Sequence, residues 1–138
     1  MPTDFLDAHQ RHWSDAEWLF NDQRWANADQ LYALAAECGL KRLMLAVGMP
    51  FDTGKDRPDD ALDRKHAEGI WARYESYRCG HPLGTAYVLP APNPFSDWHI
   101  SQRYAHHSDF DPVRVKAHRA GAAQVSHLIK QAARDGLL

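Results

Sequence analysis

An arginine, a tyrosine and two histidines fall within the stretch RYAHHS, from Arg103 to Ser108. A guanidinium group binds phosphate oxygens, and imidazole groups accept and release protons near neutral pH without a metal. These residue types therefore predict phosphodiester chemistry. In that chemistry Arg103 binds the phosphate, and His106 or His107 acts as the acid or the base.

The stretch DWHI, from Asp97 to Ile100, comes just before this segment and adds a large aromatic residue. The rings of Trp98 and Tyr104 can stack on nucleic-acid bases, and His99 lies between them along the chain. We therefore predict Trp98, His99 and Tyr104 as binding residues beside the arginine and the two histidines.

A structural alternative exists for the same residues. Aromatic residues in connections between helices usually pack against the core, which would make Trp98 and Tyr104 anchors. Arg103 would then pair with an acid such as Asp97 or Glu37 to fix the loop. On this alternative the segment is only a polar turn between two helices.

Nine histidines are a high number for a chain of 138 residues, so metal binding has to be tested before other chemistry. A di-iron bundle needs glutamate-x-x-histidine pairs on facing helices, and no glutamate of this sequence has a histidine three residues later. The HExxH motif of zinc enzymes is also absent. The sequence thus predicts no metal and no cofactor, with a metal-dependent bundle oxidase as a third alternative.

Four segments with helical spacing of apolar residues must position these side chains. The predicted helices begin after Thr3 or Asp4, run from Trp25 to Gly48 and from about Asp60 to Tyr77, and run from Asp111 to about Gly136. Small residues in the second helix would let other helices approach closely, which favours a central position for it. We predict an all-α, up-and-down bundle of four to five helices, forming a single domain over residues 1–138.

The remaining segments lack a helical period. Residues 49–60 concentrate proline, glycine and aspartate and are predicted to be an exposed loop. Gly84 to Leu89 is either a short strand or a helical turn, because periodicity does not separate the two over so few residues. The prolines that follow exclude a regular helix up to Ser96.

The composition limits the class of protein. Hydrophobic residues make up 44% of the sequence, enough for the core of one domain without disulfides, and the two cysteines are predicted to be reduced. A net charge of −2 excludes a global positive field, so any basic site must be local. With no secretory signal and no apolar stretch near the roughly 20 residues that cross a bilayer, we expect a cytoplasmic protein without a membrane partner.

Three stretches of the sequence resemble parts of the HEPN domain family (higher eukaryotes and prokaryotes nucleotide-binding). HWSDAEWLFNDQRWANADQLYALAAECGLKRLMLA looks like the opening helix pair, RKHAEGIWARYESY like the third helix, and DWHISQRYAHHSDFDPVRVKAHRAGAAQVSHLI like the turn and last helix. The resemblance is to prokaryotic members with an "RYP"-like turn before the last helix, where QRYAHHSDF stands here. It implies a HEPN-like bundle and a homodimer.

Active HEPN ribonucleases carry an arginine followed, after four to six residues, by a histidine, and they pair two such motifs across a dimer. This sequence departs from that pattern. The fifth position after Arg103 is Ser108, His106 and His107 come earlier, and the interval from Arg114 to His118 is likewise too short. The last two residues are instead expected to share one helix face.

The leading hypothesis is a HEPN-like protein that handles RNA or nucleotides, such as a metal-independent ribonuclease of a toxin or defence system. The alternative is an inactive HEPN-like accessory protein that docks a partner enzyme or a small ligand. HEPN proteins are often paired with a nucleotidyltransferase, so the resemblance also implies that partner. The five tryptophans give a further reason to expect a homodimer, because one small bundle does not readily cover so many.

Overall fold

Four α-helices build the protein, in a computed structural model that describes residues 1–138. They are α1 (Phe5–Asn21), α2 (Trp25–Ala46), α3 (Ala67–Cys79) and α4 (Pro112–Arg134). Helix α2 packs against each of the other three and is the central element, as its small residues predict. The all-α fold class is confirmed, with one two-stranded sheet as the exception.

The starts of α1 and α4 follow from local sequence signals. Asp4 accepts hydrogen bonds at 3.0 Å from two N–H groups in the first turn of α1. Asp111 accepts one at 2.9 Å from the N–H of Arg114. By contrast, Arg24 precedes α2 without a side-chain cap, so the first N–H groups of α2 are not satisfied by a side chain of that residue.

Helices α1, α2 and α4 meet at Gly39. A Cβ atom there would lie 2.5 Å from Val125 Cγ1 and 2.7 Å from His9 Nδ1. The buried His9 ring joins the three helices, with Nδ1 2.7 Å from the Ala35 carbonyl oxygen and Nε2 3.1 Å from Ser126 Oγ. A carbonyl only accepts, so Nδ1 carries the proton and Nε2 accepts from the hydroxyl. Burial lowers the pKa of His9, which favours this neutral form of the ring.

The third helix starts later than predicted. A 3₁₀ helix at Ala61–Arg64 comes first, and α3 begins only at Ala67. The cause is Asp63, which is fully buried and accepts hydrogen bonds from Arg73 Nε at 2.5 Å and from the Tyr77 hydroxyl at 2.6 Å. In one continuous helix Asp63 and Tyr77 would be about 21 Å apart, so this contact requires the chain to turn.

The loop predicted for residues 49–60 contains a short antiparallel hairpin of β1 (Phe51–Asp52) and β2 (Arg57–Pro58). Two residues per strand are too few to show an alternating pattern in the sequence. Of the two alternatives for the segment after α3, the helical turn is correct, since Gly84–Ala86 forms a 3₁₀ helix.

The connection from α3 to α4 is held by buried aromatic residues. Phe95 is 0% and Trp98 is 2% exposed. Two further 3₁₀ helices, Ile100–Tyr104 and His107–Asp109, follow them and pack against α2. This part of the chain therefore has a defined place on the bundle, although it contains no regular helix.

Both cysteines are free, and burial raises the pKa of Cys38 to about 12, which leaves its thiol protonated near neutral pH. None of the helices combines the length and the apolar character that a membrane span requires.

Candidate functional site

The predicted site residues lie on one stretch of surface, residues 97–109, which we call the 97–109 segment. The exposed ones are His99, Arg103, Tyr104, His106 and His107. Trp98 belongs to the core, so its ring has no free face for a base, and the anchor alternative describes it correctly. Tyr104 is 77% exposed and is therefore no core anchor.

His118 of α4 fixes the start of the segment. Its ring is 1% exposed, with Nδ1 2.5 Å from Asp29 Oδ1 in α2 and Nε2 3.0 Å from Asp97 Oδ1. The Phe95 ring stacks on the imidazole at 5.2 Å between centroids. His118 therefore connects two helices to the first residue of the segment.

The two carboxylates determine the charge of His118. Carboxylate oxygens only accept hydrogen bonds, so the ring needs a proton on each nitrogen and is an imidazolium. Burial alone would lower the pKa of His118, but the hydrogen bonds and charges of Asp29 and Asp97 outweigh burial and raise it. Burial would raise the pKa of Asp97, yet the hydrogen bond and charge of His118, together with the charge of Arg114, lower it.

Arg114, one turn before His118 on α4, also binds Asp97. Its Nη1 donates to Asp97 Oδ2 at 2.7 Å, and its Nη2 donates to the Asp97 carbonyl oxygen at 2.8 Å. The expected shared helix face of Arg114 and His118 is thus confirmed. Asp29, Asp97, Arg114 and His118 form what we call the His118 cluster, in which two negative and two positive charges cancel.

Arg103 has no carboxylate partner. Its Cζ atom lies 4.7 Å from the centroid of the Tyr104 ring, and its side chain is exposed. The two acids that the polar-turn alternative assigns to it are engaged elsewhere, Asp97 in the His118 cluster and Glu37 in a buried pair with Lys41 at 2.6 Å. The guanidinium group is therefore free to bind an anion.

The histidines of the segment present defined nitrogens. His99 and His106 each begin a 3₁₀ helix, and their Nδ1 atoms accept from the N–H groups of Ser101 and Ser108 at 3.2 and 3.3 Å. Because Nδ1 accepts, the neutral ring carries its proton on Nε2. The rings of His106 and His107 lie 4.4 Å apart between centroids. His106 thus offers an Nε2–H donor next to a second imidazole.

A cavity of about 320 Å³ opens beside His107. Its other lining residues are 23–27, the turn before α2 and the first turn of α2. Arg24 is among them, and no side chain caps this end of the helix. Helix N-termini carry positive partial charge. The cavity therefore presents backbone donors, a guanidinium group and an imidazole together.

Neither Arg24 nor the His118 cluster as a unit is indicated by a pattern in the sequence. Asp29 carries the one usable signal, because it stands between Ala28 and Tyr32 on the predicted apolar face of α2. A carboxylate on such a face needs a buried partner. That partner is His118 of α4, and the sequence around Asp29 does not identify it.

Comparison with protein-family models, with curated proteins and with solved structures finds no match. The resemblance to HEPN domains therefore stays a prediction. No three histidine, cysteine or carboxylate side chains converge as they would around a metal ion. A functional proposal therefore depends on the geometry of the 97–109 segment, the His118 cluster and the cavity beside His107.

Proposed function

We propose that this protein binds RNA through phosphodiester groups at the 97–109 segment and cleaves it without a metal. The observation that supports this best is the unpaired, exposed guanidinium group of Arg103, which lies three and four residues before the exposed imidazoles of His106 and His107 on a segment held by buried residues. Cations that form no internal ion pair remain available to phosphate. Their attachment to a fixed segment lowers the entropy cost of binding.

The proposed reaction is an internal transesterification. The ribose 2′-oxygen attacks the adjacent phosphorus, and the bond from phosphorus to the 5′-oxygen breaks, which leaves a 2′,3′-cyclic phosphate and a 5′-hydroxyl. One imidazole accepts the 2′-hydroxyl proton, and another delivers a proton to the leaving oxygen. His106 and His107 supply this pair, in which the acid is a protonated imidazolium and the base a neutral imidazole, and Arg103 stabilises the charge on the phosphate.

Single-stranded RNA fits this surface best. The Tyr104 ring is 77% exposed and can stack on a base, which adds roughly 1–3 kcal/mol for each stacked base in single-strand binding. Arg24 and the start of α2 are positioned to accept a neighbouring phosphate in the cavity beside His107.

The test is cleavage of pooled small RNAs in the presence of a chelator. Arg103→Ala removes the stabilisation of the phosphate charge, and His106→Ala combined with His107→Ala removes the acid and the base, so each should lower the rate by roughly 100-fold or more. His127→Ala is the matched control, because His127 is exposed on α4 outside the segment and should leave the rate unchanged. Cleavage that survives in both sets of variants would refute the proposal.

A second candidate function is binding without cleavage, as an accessory module. The observation that favours it is the openness of the surface, since Arg103 and both adjacent histidines are exposed rather than enclosed. Folded wild-type protein that binds labelled RNA but leaves it intact would support this candidate. Protein that neither binds nor cleaves RNA would contradict both functions.

A homodimer and a partner nucleotidyltransferase remain predictions from the HEPN resemblance. The tryptophans support a dimer less than their number suggests, because Trp71 and Trp98 are buried and Trp13 and Trp25 are partly covered within one chain. Trp18, at 80% exposed, is the one tryptophan left for a partner. Light scattering at micromolar concentration tests the dimer, and a monomer would contradict it.

A further inference from the structure

We propose that doubly protonated His118 positions the 97–109 segment for RNA, and that loss of one proton loosens the segment and weakens binding. The inference rests on the RNA-binding function proposed for the segment and adds control of that site by pH. At 1% exposed, His118 does not reach a ligand on the surface, so it is a positioning residue rather than a catalytic one.

The balance of charge in the His118 cluster supports this role. The groups that face the imidazolium are Asp29 from α2 and Asp97 from the segment, while Arg114 of α4 binds the far side of Asp97. Their charges cancel only while His118 carries both protons. Removal of one leaves a net negative charge and points a nitrogen lone pair at a carboxylate oxygen, which is unfavourable in a buried place.

The difference in burial between the two carboxylates decides which bond is lost. The Asp29 side chain is 0% exposed and its Oδ2 has no hydrogen-bond partner, so His118 alone compensates its charge. The Asp97 side chain is 56% exposed and can turn towards water. The neutral ring therefore keeps its proton on Nδ1, bound to Asp29, and gives up the bond from Nε2 to Asp97.

Loss of that bond loosens the segment without unfolding it. Arg114 still donates to the backbone carbonyl oxygen of Asp97 when the carboxylate turns, and the Trp98 ring remains in the core. The indole Nε1 of Trp98 has no hydrogen-bond partner, so packing alone fixes the side chain of this second anchor. Residues from His99 onward would then sample more positions, which raises the cost of ordering them on RNA.

Nuclear magnetic resonance tests the positioning directly. Wild-type protein is titrated from pH 5.5 to 9 while the imidazole of His118 and the Cα signals of residues 97–109 are followed. The segment signals should move with the same midpoint as His118, above its ordinary value near 6.5. In His118→Gln, which keeps an amide donor but takes up no proton, this transition should be absent. Segment signals that do not change with the protonation of His118 would overturn the inference.

Binding of a fluorescein-labelled single-stranded RNA at each pH tests the consequence. Wild type should bind about tenfold more tightly than His118→Gln below the midpoint, a typical coupling between two sites, and the ratio should approach one above it. The exposed His99, His106 and His107 are common to both proteins, so their effect on binding cancels in the ratio. A ratio that is constant with pH would overturn the inference.

The two proposals fail in distinguishable ways. If neither protein binds RNA at any pH, the proposed function is wrong, whereas the magnetic resonance titration still decides whether His118 positions the segment. If His118→Gln does not fold, Asp97→Asn replaces it, since Asp97 is mostly exposed. That variant should lower the midpoint of His118 and uncouple the segment signals from it, and an unchanged midpoint would contradict the role.

Discussion

Arg119 of α4 donates two hydrogen bonds to Glu17 of α1, from Nε to Oε1 at 2.7 Å and from Nη2 to Oε2 at 2.8 Å. Tyr32 of α2 donates its hydroxyl to the same Oε1 at 2.6 Å. One carboxylate therefore joins three helices. The hydrogen bond from Arg119 is the main reason why the pKa of Glu17 is lowered.

Glu17→Gln should lower the free energy of unfolding at pH 7 by about 1 kcal/mol. The effect is small because Arg119 is 40% exposed and water screens the pair. A carboxylate with a lowered pKa stabilises the fold above its ordinary value of 4.5, and this contribution is lost as the pH falls through the lowered pKa. Urea unfolding of the wild type and Glu17→Gln from pH 7 downwards measures the contribution and its loss.

The control is Asp15→Asn, an exposed acid of α1 without an ion pair, which should change stability by less than about 0.5 kcal/mol. Equal losses from Glu17→Gln and Asp15→Asn would show that the bonds to Glu17 contribute nothing.

Gly39→Ala should destabilise the protein by about 1–3 kcal/mol, because the added methyl group meets Val125 and His9 at the crossing of three helices. Thermal unfolding measures the loss. Gly80→Ala is the matched control, since a Cβ atom there has its nearest neighbours at 3.7 Å and its φ of −85° suits any residue. Combination with Val125→Ala should cost less than the sum of the single losses, and strict additivity would argue against the steric cause.

Asp63→Ala should cost about 3 kcal/mol, because it leaves Arg73 and Tyr77 without the buried carboxylate that they share. Asp59→Ala, an exposed aspartate four positions earlier, should stay within about 0.5 kcal/mol. Urea unfolding of both variants measures the difference. A loss in Asp63→Ala no larger than in Asp59→Ala would mean that these bonds do not hold the 3₁₀ turn on α3.

The helices that the sequence predicts well are those whose ends depend on neighbouring residues. Asp4 and Asp111 cap the helices that immediately follow them, so a local pattern is sufficient. The start of α3 was predicted too early because Asp63 binds Tyr77, a residue that a helical period places on the same continuous helix. Only the folded chain reveals that the two side chains touch.

The candidate site likewise contains residues that the sequence predicts and residues that only the fold brings together. Arg103, His106 and His107 are adjacent in the sequence, and their exposure agrees with their polarity. Trp98 could be a stacking residue or an anchor on sequence alone, and its burial is decided by how the connection lies on α2 and α4. The His118 cluster takes residues from α2, the connection and α4, so no local pattern could assemble it.

The contributions of His9 and His118 to the free energy of unfolding should depend on pH in opposite directions. Burial lowers the pKa of His9, so its contribution is complete above the ordinary value near 6.5 and is lost as the pH falls from there towards the lowered pKa. The pKa of His118 is raised, so its contribution is complete below 6.5 and is lost as the pH rises through the raised value. The free energy of unfolding should therefore decrease on both sides of a maximum near pH 6.5.

Two variants separate the limbs of this curve, measured by urea unfolding between pH 5.5 and 9. His9→Asn can keep a donor to the Ala35 carbonyl but takes up no proton, so it should flatten the acid limb and leave the alkaline limb. His118→Gln should flatten the alkaline limb and leave the acid limb. Each histidine can contribute a slope of at most about 1.4 kcal/mol per pH unit. Burial also lowers the pKa of His12, so part of the acid limb should remain in His9→Asn. An acid limb as steep in His9→Asn as in the wild type would mean that His9 is not the buried neutral group that binds a proton on unfolding.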